Sequence, residues 1–433
     1  MTRPPRILIS GSGIAGNALA LQLIRGGIPV TVVERAPSPR PGGQAVDLRG
    51  ASREVVERMG LMPGIRRHRL DEQGMTYVDG QGREYGRMAM DDFDGKGAVA
   101  EIEITRGDLN DVLLAALKES DAAALLDLRY GEHIVALAQD ETGVDVEFAS
   151  GASERFDVAV GADGVHSVTR RLAFGQEQDY VTNLGGYAAF FTLPTPADIR
   201  PGWFAMRLVP GAMFGLRPDA DPSTSKAIIN LRAERDPALR GDVHAQRRLV
   251  RAAIAGGGWH AGLILDAMEK ADDFYFDELA RVEMPSLANG RVVLIGDAGT
   301  CGSPLTGMGT AMALIAAYLL ARELAGLTAT GSVDSGRLAA ALARFEADLA
   351  PHTARSQKIP GGSLQMMLPR TRIMTALARL NVRILLSRAM RPIAKRMFAD
   401  DGSDLPLPAE SGTGHAAPPR PSGSRASEET ARA

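Results

Sequence analysis

The sequence predicts an α/β fold in which a parallel sheet is flanked by helices, a separate antiparallel sheet is inserted into it, and helices follow at the C-terminus. Three observations support this prediction. The apolar run 6–10 leads directly into a glycine-rich turn and then an apolar helix. Two later apolar runs, 156–161 and 291–295, each lead into a turn that contains Gly and Asp. Between about 183 and 276 the strands alternate and are rich in aromatic residues, as in an antiparallel sheet with one face on a core.

The first glycine-rich turn has the spacing G-x-G-x-x-G and lies within a complete strand–helix–strand unit. Gly11 permits the tight turn, Gly13 lets a pyrophosphate approach the backbone, and Gly16 lets helix and strand pack closely. Glu34 ends the second strand, where a carboxylate accepts hydrogen bonds from a ribose. The unit predicts an adenine dinucleotide but does not distinguish NAD from FAD. The predicted contacts are Gly11, Gly13, Ile14, Ala15, Gly16, Glu34 and Arg35.

The two later turns narrow the choice of nucleotide. One contains Asp163-Gly164, and the other contains Gly296-Asp297 and is followed by a Pro/Gly-rich segment, 304–309. In this order the three motifs resemble the single-component, FAD-dependent aromatic hydroxylases of the para-hydroxybenzoate hydroxylase type. Within them the chain is most similar to the tetracycline-inactivating monooxygenase branch, over about residues 5–395. The resemblance implies a Rossmann-like FAD-binding domain with an inserted antiparallel β-sheet substrate domain and a C-terminal helical segment.

The resemblance also implies an activity. NADPH or NADH would reduce non-covalently bound FAD, and O2 would add to the reduced flavin as a C4a-hydroperoxide. That peroxide would hydroxylate an aromatic, polyketide or tetracycline-like small molecule. The flavin would carry the chemistry, so no side chain is assigned a certain catalytic role. One cysteine and seven scattered histidines offer no metal-binding spacing, so we expect no metal.

Roles for further residues follow from the same resemblance. Asp297 would bond the ribityl chain, Arg106 would face the phosphates and ribityl chain, and segment 304–309 would lie along the flavin ring. Arg40 matches an arginine that faces NADPH, although a solvated surface arginine is an equal alternative. The chain departs from many relatives at 299–301, where Gly-Thr-Cys replaces an alanine–histidine pair. The predicted FAD contacts of this set are Asp47, Arg106, Asp163, Gly296, Asp297, Pro304, Gly307 and Gly309.

Three other features leave alternatives open. Phe191, Met213 and Phe214 are candidates for the substrate pocket, yet aromatic residues at strand spacing are more often plain core. Cys301 lies near the flavin on the family's layout, where a covalent link is conceivable, but a buried small residue is the favoured interpretation. His166 is expected to be a turn residue rather than a base.

The predicted domains are discontinuous in sequence. The FAD-binding domain comprises 1–75, 105–180 and 281–350, the substrate domain 76–104 and 181–280, the C-terminal helices 351–399, and a disordered tail 400–433. Residues 351–399 contain ten Lys and Arg but no Asp or Glu. Segment 370–396 could therefore contact an anionic membrane surface or an acidic partner. We favour a closing helix pair that packs its apolar stripe across the two domains.

Composition excludes several other classes of protein. With 433 residues the chain is too long for one ordinary domain, and a net charge of -3 gives no reason to expect nucleic acid. The apolar run 308–320 is too short for an integral membrane segment. A single cysteine fits a cytoplasmic protein. Two other functions remain open: a flavin-dependent reductase or dehydrogenase of an isoprenoid, and a non-catalytic FAD-binding protein that acts through a partner.

Overall fold

The computed structural model describes most of the chain. Described are residues 5–40, 42–93, 102–303, 306–328, 333–358, 363–390, 392–394 and 405–408. Pro304, the basic residues at 391, 395 and 396, and most of the predicted tail 400–433 lie outside these ranges.

The first sheet has six strands, and five of them run parallel. They are β1 (Ile7–Ser10), β2 (Val30–Glu34), β7 (Leu126–Tyr130), β11 (Val158–Gly161), β17 (Ala288–Asn289) and β18 (Val292–Leu294). Their order is β17-β18-β11-β1-β2-β7, and only β17 pairs antiparallel. Every residue of β1, β11 and β18 is buried, because layers cover both faces of the sheet.

Helices and a small sheet form those layers. The helices of this domain are α1 (Ile14–Arg25), α2 (Gly50–Arg58), α3 (Met62–Arg67), α4 (Arg106–Ser120), α5 (Val168–Ala173), α8 (Asp297–Thr300), α9 (Gly309–Thr328) and α10 (Ser335–Ser356). On one face, α1, α4, α9 and α10 share one apolar core with the sheet. On the other lies an antiparallel sheet of β8 (Ile134–Gln139), β9 (Val144–Phe148) and β10 (Ser153–Phe156). Two short strands, β3 (Ala45–Asp47) and β6 (Glu103–Thr105), pair with each other.

One helix of the described residues, Gly309–Leu327 within α9, is long and apolar enough to cross a membrane. Most of it is buried inside the protein, where α9 packs against α1 and α10. It is the central helix of the nucleotide-binding domain, since Leu314, Ala317 and Leu320 are fully buried in the shared core.

The second sheet has seven strands and forms the inserted domain. They are β4 (Gly74–Val78), β5 (Glu84–Ala89), β12 (Val181–Pro194), β13 (Trp203–Val209), β14 (Ala212–Pro218), β15 (Thr224–Arg232) and β16 (Tyr275–Val282), in the order β16-β12-β15-β14-β13-β4-β5. All neighbours pair antiparallel except β13 and β4. Helices α6 (Val243–Ile254) and α7 (Ala261–Lys270) cover one face. The predicted α/β class with an inserted, mostly antiparallel sheet is confirmed.

The C-terminal helices α11 (Ser363–Met367) and α12 (Arg372–Leu385) lie against the other face of this sheet. A pocket of about 540 Å³ lies beside the contact between α12 and β5 and is lined by residues of both, among them Arg383 and Glu84. The preferred interpretation of a buried apolar stripe is wrong for α12, because Ile373, Leu377 and Leu380 are exposed. The helix has apolar residues on two faces, and only one face contacts the protein.

A short part of the predicted tail is described and is packed. Leu407 is buried in the core of the nucleotide-binding domain, with α9 and α10. The chain therefore returns from the inserted domain to the first domain after α12.

Candidate functional site

Three turns meet at one edge of the parallel sheet. They follow β1, β11 and β18, which are neighbours in the strand order. Backbone hydrogen bonds fix the turns to one another: Ala162 N donates to Ser10 O at 2.8 Å, and Ile295 N donates to Gly161 O at 2.9 Å. Ligands of open α/β sheets bind at the carboxyl ends of the strands. We call this region the nucleotide cleft.

The glycines of the first turn differ in the space around them. A Cβ at Gly11, where φ is +110°, would lie 2.4 Å from the carbonyl oxygen of Ala162. A Cβ at Gly16 would lie 1.9 Å from the carbonyl oxygen of Gly11, so both positions exclude side chains by contact with backbone. No heavy atom lies within 4 Å of a Cβ built at Gly13. The backbone of Gly13 therefore borders open space of the kind that a pyrophosphate requires. The three glycines of this turn fit a bound dinucleotide.

Glu34 closes one end of the nucleotide cleft. Its carboxylate accepts hydrogen bonds from Ser12 N at 3.1 Å and Ala36 N at 2.8 Å. Arg40 Nη2 lies 3.9 Å from Glu34 Oε1, and its side chain is 68% exposed. Arg35 is also exposed. The structure thus places both arginines around the carboxylate that is predicted to bind ribose.

The carboxylate of Asp163 accepts hydrogen bonds from other residues of the protein. Oδ2 accepts hydrogen bonds from the backbone and hydroxyl of Thr169, both at 2.9 Å, and from Ser10 Oγ at 3.4 Å. Oδ1 accepts from the hydroxyl of Ser167, the residue that caps α5. These bonds join the end of β1 to the start of α5. Asp163 therefore shapes the nucleotide cleft through the backbone that it holds.

The third turn supplies a carboxylate and further glycines. Gly296 has φ of +58°, and a Cβ there would lie 2.9 Å from Cβ of Ala15 in α1. The half-buried Asp297 follows, and its Oδ1 lies 3.5 Å from a Cβ built at Gly309. Gly307, with φ of +66°, has nothing within 4 Å of its Cβ position. Asp297 thus lies between α1 and the N-terminus of α9, beside unfilled space.

Arg106 is the first residue of α4 and is exposed. Thr105 caps the helix by accepting from Asp108 N at 3.0 Å. The loop with Gly42 crosses this helix start, because Gly107 N donates to Gly42 O at 2.7 Å. A Cβ at Gly107 would lie 2.5 Å from that oxygen, which explains why this position is occupied by a glycine.

Cys301 is buried in an apolar cluster with Val181 and Val282, and its thiol donates to Ala280 O at 3.7 Å. Burial, followed by the negative charge of Asp297, raises the pKa of the thiol well above its ordinary value. A thiol held neutral is a poor nucleophile. This environment disfavours a covalent link to a cofactor.

The face of the inserted sheet on which α11 and α12 pack carries Phe190, Met213 and Tyr275, and we name it the substrate face after its predicted role. The rings of Phe190 and Tyr275 stack with centroids 5.9 Å apart, and Met213 belongs to the same apolar cluster as Phe190. Phe191 and Phe214 are fully buried on the opposite face, beneath α6 and α7. Their prediction as substrate contacts is corrected, because neighbouring residues in a strand point to opposite faces and the prediction chose the wrong one.

Tyr275 connects this face with the nucleotide cleft. The Tyr275 side chain is 42% exposed, but its hydroxyl is shielded from water. This desolvation and the charge of Asp277 raise the pKa of the hydroxyl, while the charge of Arg106 lowers it. The hydroxyl donates to Asp277 Oδ2 at 3.0 Å. A group bound between the two domains would therefore meet a phenol held by a carboxylate.

His166 extends this chain of polar groups. Its Nε2 lies 3.0 Å from Asp277 Oδ1, and its Nδ1 lies 3.1 Å from Glu177 Oε2. Burial lowers the pKa of His166, but the hydrogen bonds to Asp277 and Glu177 outweigh it and raise the pKa to about 9. The hydrogen bond from His166 in turn lowers the pKa of Glu177 to about 2. Arg240 Nη2 also lies 2.7 Å from His166 Nδ1, and its positive charge opposes this shift. His166 therefore links the second motif to the inserted sheet through a cluster of charged side chains, and is not merely a turn residue.

A second set of interacting polar side chains joins the two domains. It consists of Arg217, Glu72, Glu103 and Asp47, and we call it the Arg217 cluster. Arg217 donates to Glu72 Oε2 at 2.7 Å and to Glu103 Oε2 at 2.8 Å, and lies 3.9 Å from Asp47 Oδ1. Only 1% of each glutamate side chain is exposed. Burial and the carboxylates' mutual repulsion raise the pKa of Asp47 and of Glu103, and Arg217 opposes both shifts.

Sequence reasoning missed Tyr275, Asp277 and the partners of Asp47. Arg217 follows the apolar run 212–216 within β14, and that pattern is a signal that could have singled it out. Asp277 and Glu72 have polar or charged neighbours in the sequence and carry no such signal. No sequence pattern pairs Asp47 with Arg217, because they lie in different domains.

Comparisons with known proteins agree with this geometry. A family profile described as "FAD binding domain" matches residues 5–344. An uncharacterized protein of Mycobacterium tuberculosis is 38% identical over 323 residues, which cover 73% of this chain and 84% of that protein. A flavin-dependent monooxygenase of an unknown prokaryotic organism is 33% identical over 360 residues, 82% of this chain and 89% of the relative. The crystal structure of tetracycline destructase Tet(51) matches with a TM-score of 0.74 at 28% identity, covering 94% of this chain and 100% of that one.

Proposed function

Because the chain belongs to the FAD-binding-domain family of flavin-dependent monooxygenases, we propose that it oxidises NADPH or NADH and inserts one oxygen atom of O2 into an aromatic or enolic polyketide of the tetracycline type. One observation carries the choice of substrate. The likeness to a tetracycline destructase spans 94% of this chain, and so includes the inserted sheet as well as the nucleotide cleft. We also propose a cytoplasmic location, as expected from the sequence.

FAD would lie along the nucleotide cleft without a covalent bond. Its pyrophosphate would approach Gly13, its adenosine ribose would take Glu34 as acceptor, and its ribityl chain would take Asp297. When bound, the flavin supplies the redox and oxygen-transfer chemistry that this chain's side chains lack. The raised pKa of the Cys301 thiol supports non-covalent binding.

The substrate would lie between the flavin site and the substrate face. Tyr275, which is 42% exposed, would offer an aromatic surface to a ring system, with the buried Phe190 stacked against it and the buried Met213 in the same apolar cluster as Phe190. These apolar side chains would help to exclude water from the reacting group. The Tyr275 hydroxyl, held by Asp277, would orient an oxygen of the substrate.

Arg40 is proposed to bind NADPH. Its guanidinium reaches Glu34 only at 3.9 Å and its side chain is 68% exposed, so it can turn towards a phosphate of an incoming nucleotide. Guanidinium groups suit phosphate recognition. We propose that this contact forms only while the nicotinamide nucleotide is present.

The test combines a substrate screen with isotope labelling. Purified enzyme loaded with FAD is supplied with NADPH or NADH and with phenolic, polyketide and tetracycline compounds under labelled dioxygen. The masses of the products are then determined by mass spectrometry. We expect faster NADPH oxidation with a substrate and a product that carries one labelled oxygen atom. The control uses labelled water with ordinary dioxygen. Label from water, or a product that differs only by two hydrogens, would instead indicate a reductase or dehydrogenase.

A further inference from the structure

Helix α12 is fixed to the inserted sheet through one of its faces. Arg379 Nη2 donates to Leu208 O at 2.7 Å, and Thr375 is buried. Val382 and Leu386 press on β5, where a Cβ at Gly86 would lie 2.8 Å from Val382 and 3.4 Å from Leu386. The rotation of the helix about its axis is therefore set by these contacts.

The opposite face of α12 is apolar and exposed. Its four residues recur at helical spacing and so form one stripe. Their exposed fractions are 75% for Ile373, 56% for Leu377, 50% for Leu380 and 49% for Ile384. Ile393, just beyond the helix, is also 51% exposed. An exposed apolar surface of this kind marks a contact with a partner or a membrane.

The charges beside the stripe have one sign. Arg372 and Arg383 are exposed and fall on the same flank of the stripe at 100° per residue, and Arg370 and Arg388 are exposed near the two ends. The whole segment 351–399 has ten Lys and Arg and no Asp or Glu. Acidic residues of the inserted sheet lie near one of these arginines, since Asp79 and Glu84 line a pocket together with Arg383. The surface thus combines exposed aliphatic side chains with exposed arginines of a helix that carries no acidic residue of its own.

Two other occupants of the stripe fit poorly. A helix of 14 residues is about 21 Å long, so pairing two copies would cover far less than the roughly 1,200 Å² of a stable interface. A twofold pairing would also bring like charges together. Residues 409–433 contain no Val, Ile, Leu, Met or aromatic residue and cannot fill an apolar stripe.

We propose that the outer face of α12 docks on an anionic lipid bilayer, with the helix lying in the plane of the headgroups. The aliphatic stripe would enter the boundary between headgroups and acyl chains, while the arginines beside it would meet lipid phosphates. This docking does not depend on the identity of the substrate. It would hold the enzyme at a surface where apolar ring compounds also accumulate.

The experiment is sedimentation of the full-length, FAD-loaded protein with vesicles. One set contains phosphatidylcholine alone, and the other contains phosphatidylcholine mixed with phosphatidylglycerol. We expect binding to the mixed vesicles, little binding to phosphatidylcholine alone, and weaker binding as salt is added. Equal binding to both sets, or binding to neither, would overturn the proposal.

Matched variants separate the stripe from other exposed residues. Leu377→Ser with Leu380→Ser should weaken binding about tenfold or more, because apolar area no longer enters the bilayer. Arg372→Gln with Arg383→Gln should weaken it about fivefold per charge removed. Leu263→Ser, at a leucine of α7 that is 42% exposed, and Arg248→Gln, at an exposed arginine of α6, should leave binding unchanged.

Two control measurements make the result decisive. FAD content and substrate-stimulated NADPH oxidation should be those of the wild type in all four variants, since none touches the nucleotide cleft. Light scattering should find the same oligomeric state in the wild type and in the leucine variant. A dimer that the leucine variant abolishes would overturn docking on lipid in favour of a second copy of this chain.

Discussion

The nucleotide cleft and the Arg217 cluster are built in opposite ways. In the cleft, glycines and backbone groups at three strand ends set the geometry, and what matters at Gly13 is that no side chain is present. In the Arg217 cluster, four charged side chains from separate segments meet across the domain boundary. The first arrangement preserves space for a ligand, and the second fills space between domains. Substitutions that fill the open space of the cleft should therefore damage ligand binding, whereas substitutions in the Arg217 cluster should damage folding.

The largest expected effect is that of Arg217→Met. Removing the guanidinium takes away the hydrogen bonds that Arg217 donates to the buried carboxylates of Glu72 and Glu103. Removal of one partner from a buried ion pair typically costs about 3–5 kcal/mol of folding free energy. Urea unfolding followed by fluorescence measures the change. The matched control is Arg251→Met, because Arg251 pairs with Glu269 on the surface and its loss should cost less than about 1 kcal/mol. Equal losses in the two variants would contradict the importance assigned to burial in the Arg217 cluster.

The second prediction compares two glycines of one motif. Gly16→Ala should destabilise the protein by about 3 kcal/mol, since the new Cβ would overlap the carbonyl oxygen of Gly11. Gly13→Ala should fold normally, because its Cβ meets open space and φ is -89°. Its FAD affinity should nevertheless fall about tenfold or more, because the new Cβ would hold the pyrophosphate away from the backbone, and one lost hydrogen bond to a phosphate is worth about 1.5 kcal/mol or more. Thermal melting of the apoprotein and FAD titration separate the two outcomes.

The third prediction concerns the cofactor carboxylate. Asp297→Ala should lower FAD affinity by about ten- to a hundredfold, the effect of losing a charge-assisted hydrogen bond of about 1.5–3 kcal/mol. Arg40→Ala should keep its flavin and instead raise the apparent KM for NADPH. Flavin content after gel filtration, together with NADPH kinetics, measures both effects. Flavin loss in the Arg40 variant alone would reverse these assignments.

The smallest expected effect depends on pH. The pKa of His166 is raised from about 6.5 to about 9 in the folded protein, so its bonds to Glu177 and Asp277 stabilise the fold fully below about pH 6.5. That stabilisation is lost as the pH rises towards 9. His166→Gln should therefore cost about 1 kcal/mol or more near pH 6 and much less near pH 9.5. Urea unfolding at the two pH values tests the sign, and a cost that grows with pH would refute it.

The same contrast explains what could be predicted from the sequence. The first turn was predictable because its strand, glycines, helix and carboxylate follow one another within 6–34, and each has a local physical reason. The buried parallel strands were predictable for the same reason. By contrast, the Arg217 cluster required knowledge of which distant segments become neighbours: Arg217 donates to Ala45 O from 172 residues away.

The predictions from the sequence were wrong where the two faces of a strand or helix carry similar residues. Along β12 both Phe190 and Phe191 are aromatic, and a one-residue change of phase exchanges the substrate face for the core face. In α12 apolar residues lie on both faces, so the sequence established that the helix is amphipathic without indicating which apolar face contacts the protein.

The position of β18 beside β11 has a consequence for how the enzyme is made. Residues of the first turn leave the ribosome early, but those that carry Asp297 follow only after the whole inserted sheet has been synthesised. Until then the parallel sheet ends at β11, and the site for the cofactor lacks one wall. A chain that terminates within the inserted domain lacks this wall, and we expect it not to retain flavin. Retained flavin would thus report that synthesis has passed beyond β18 as well as that the cofactor is loaded.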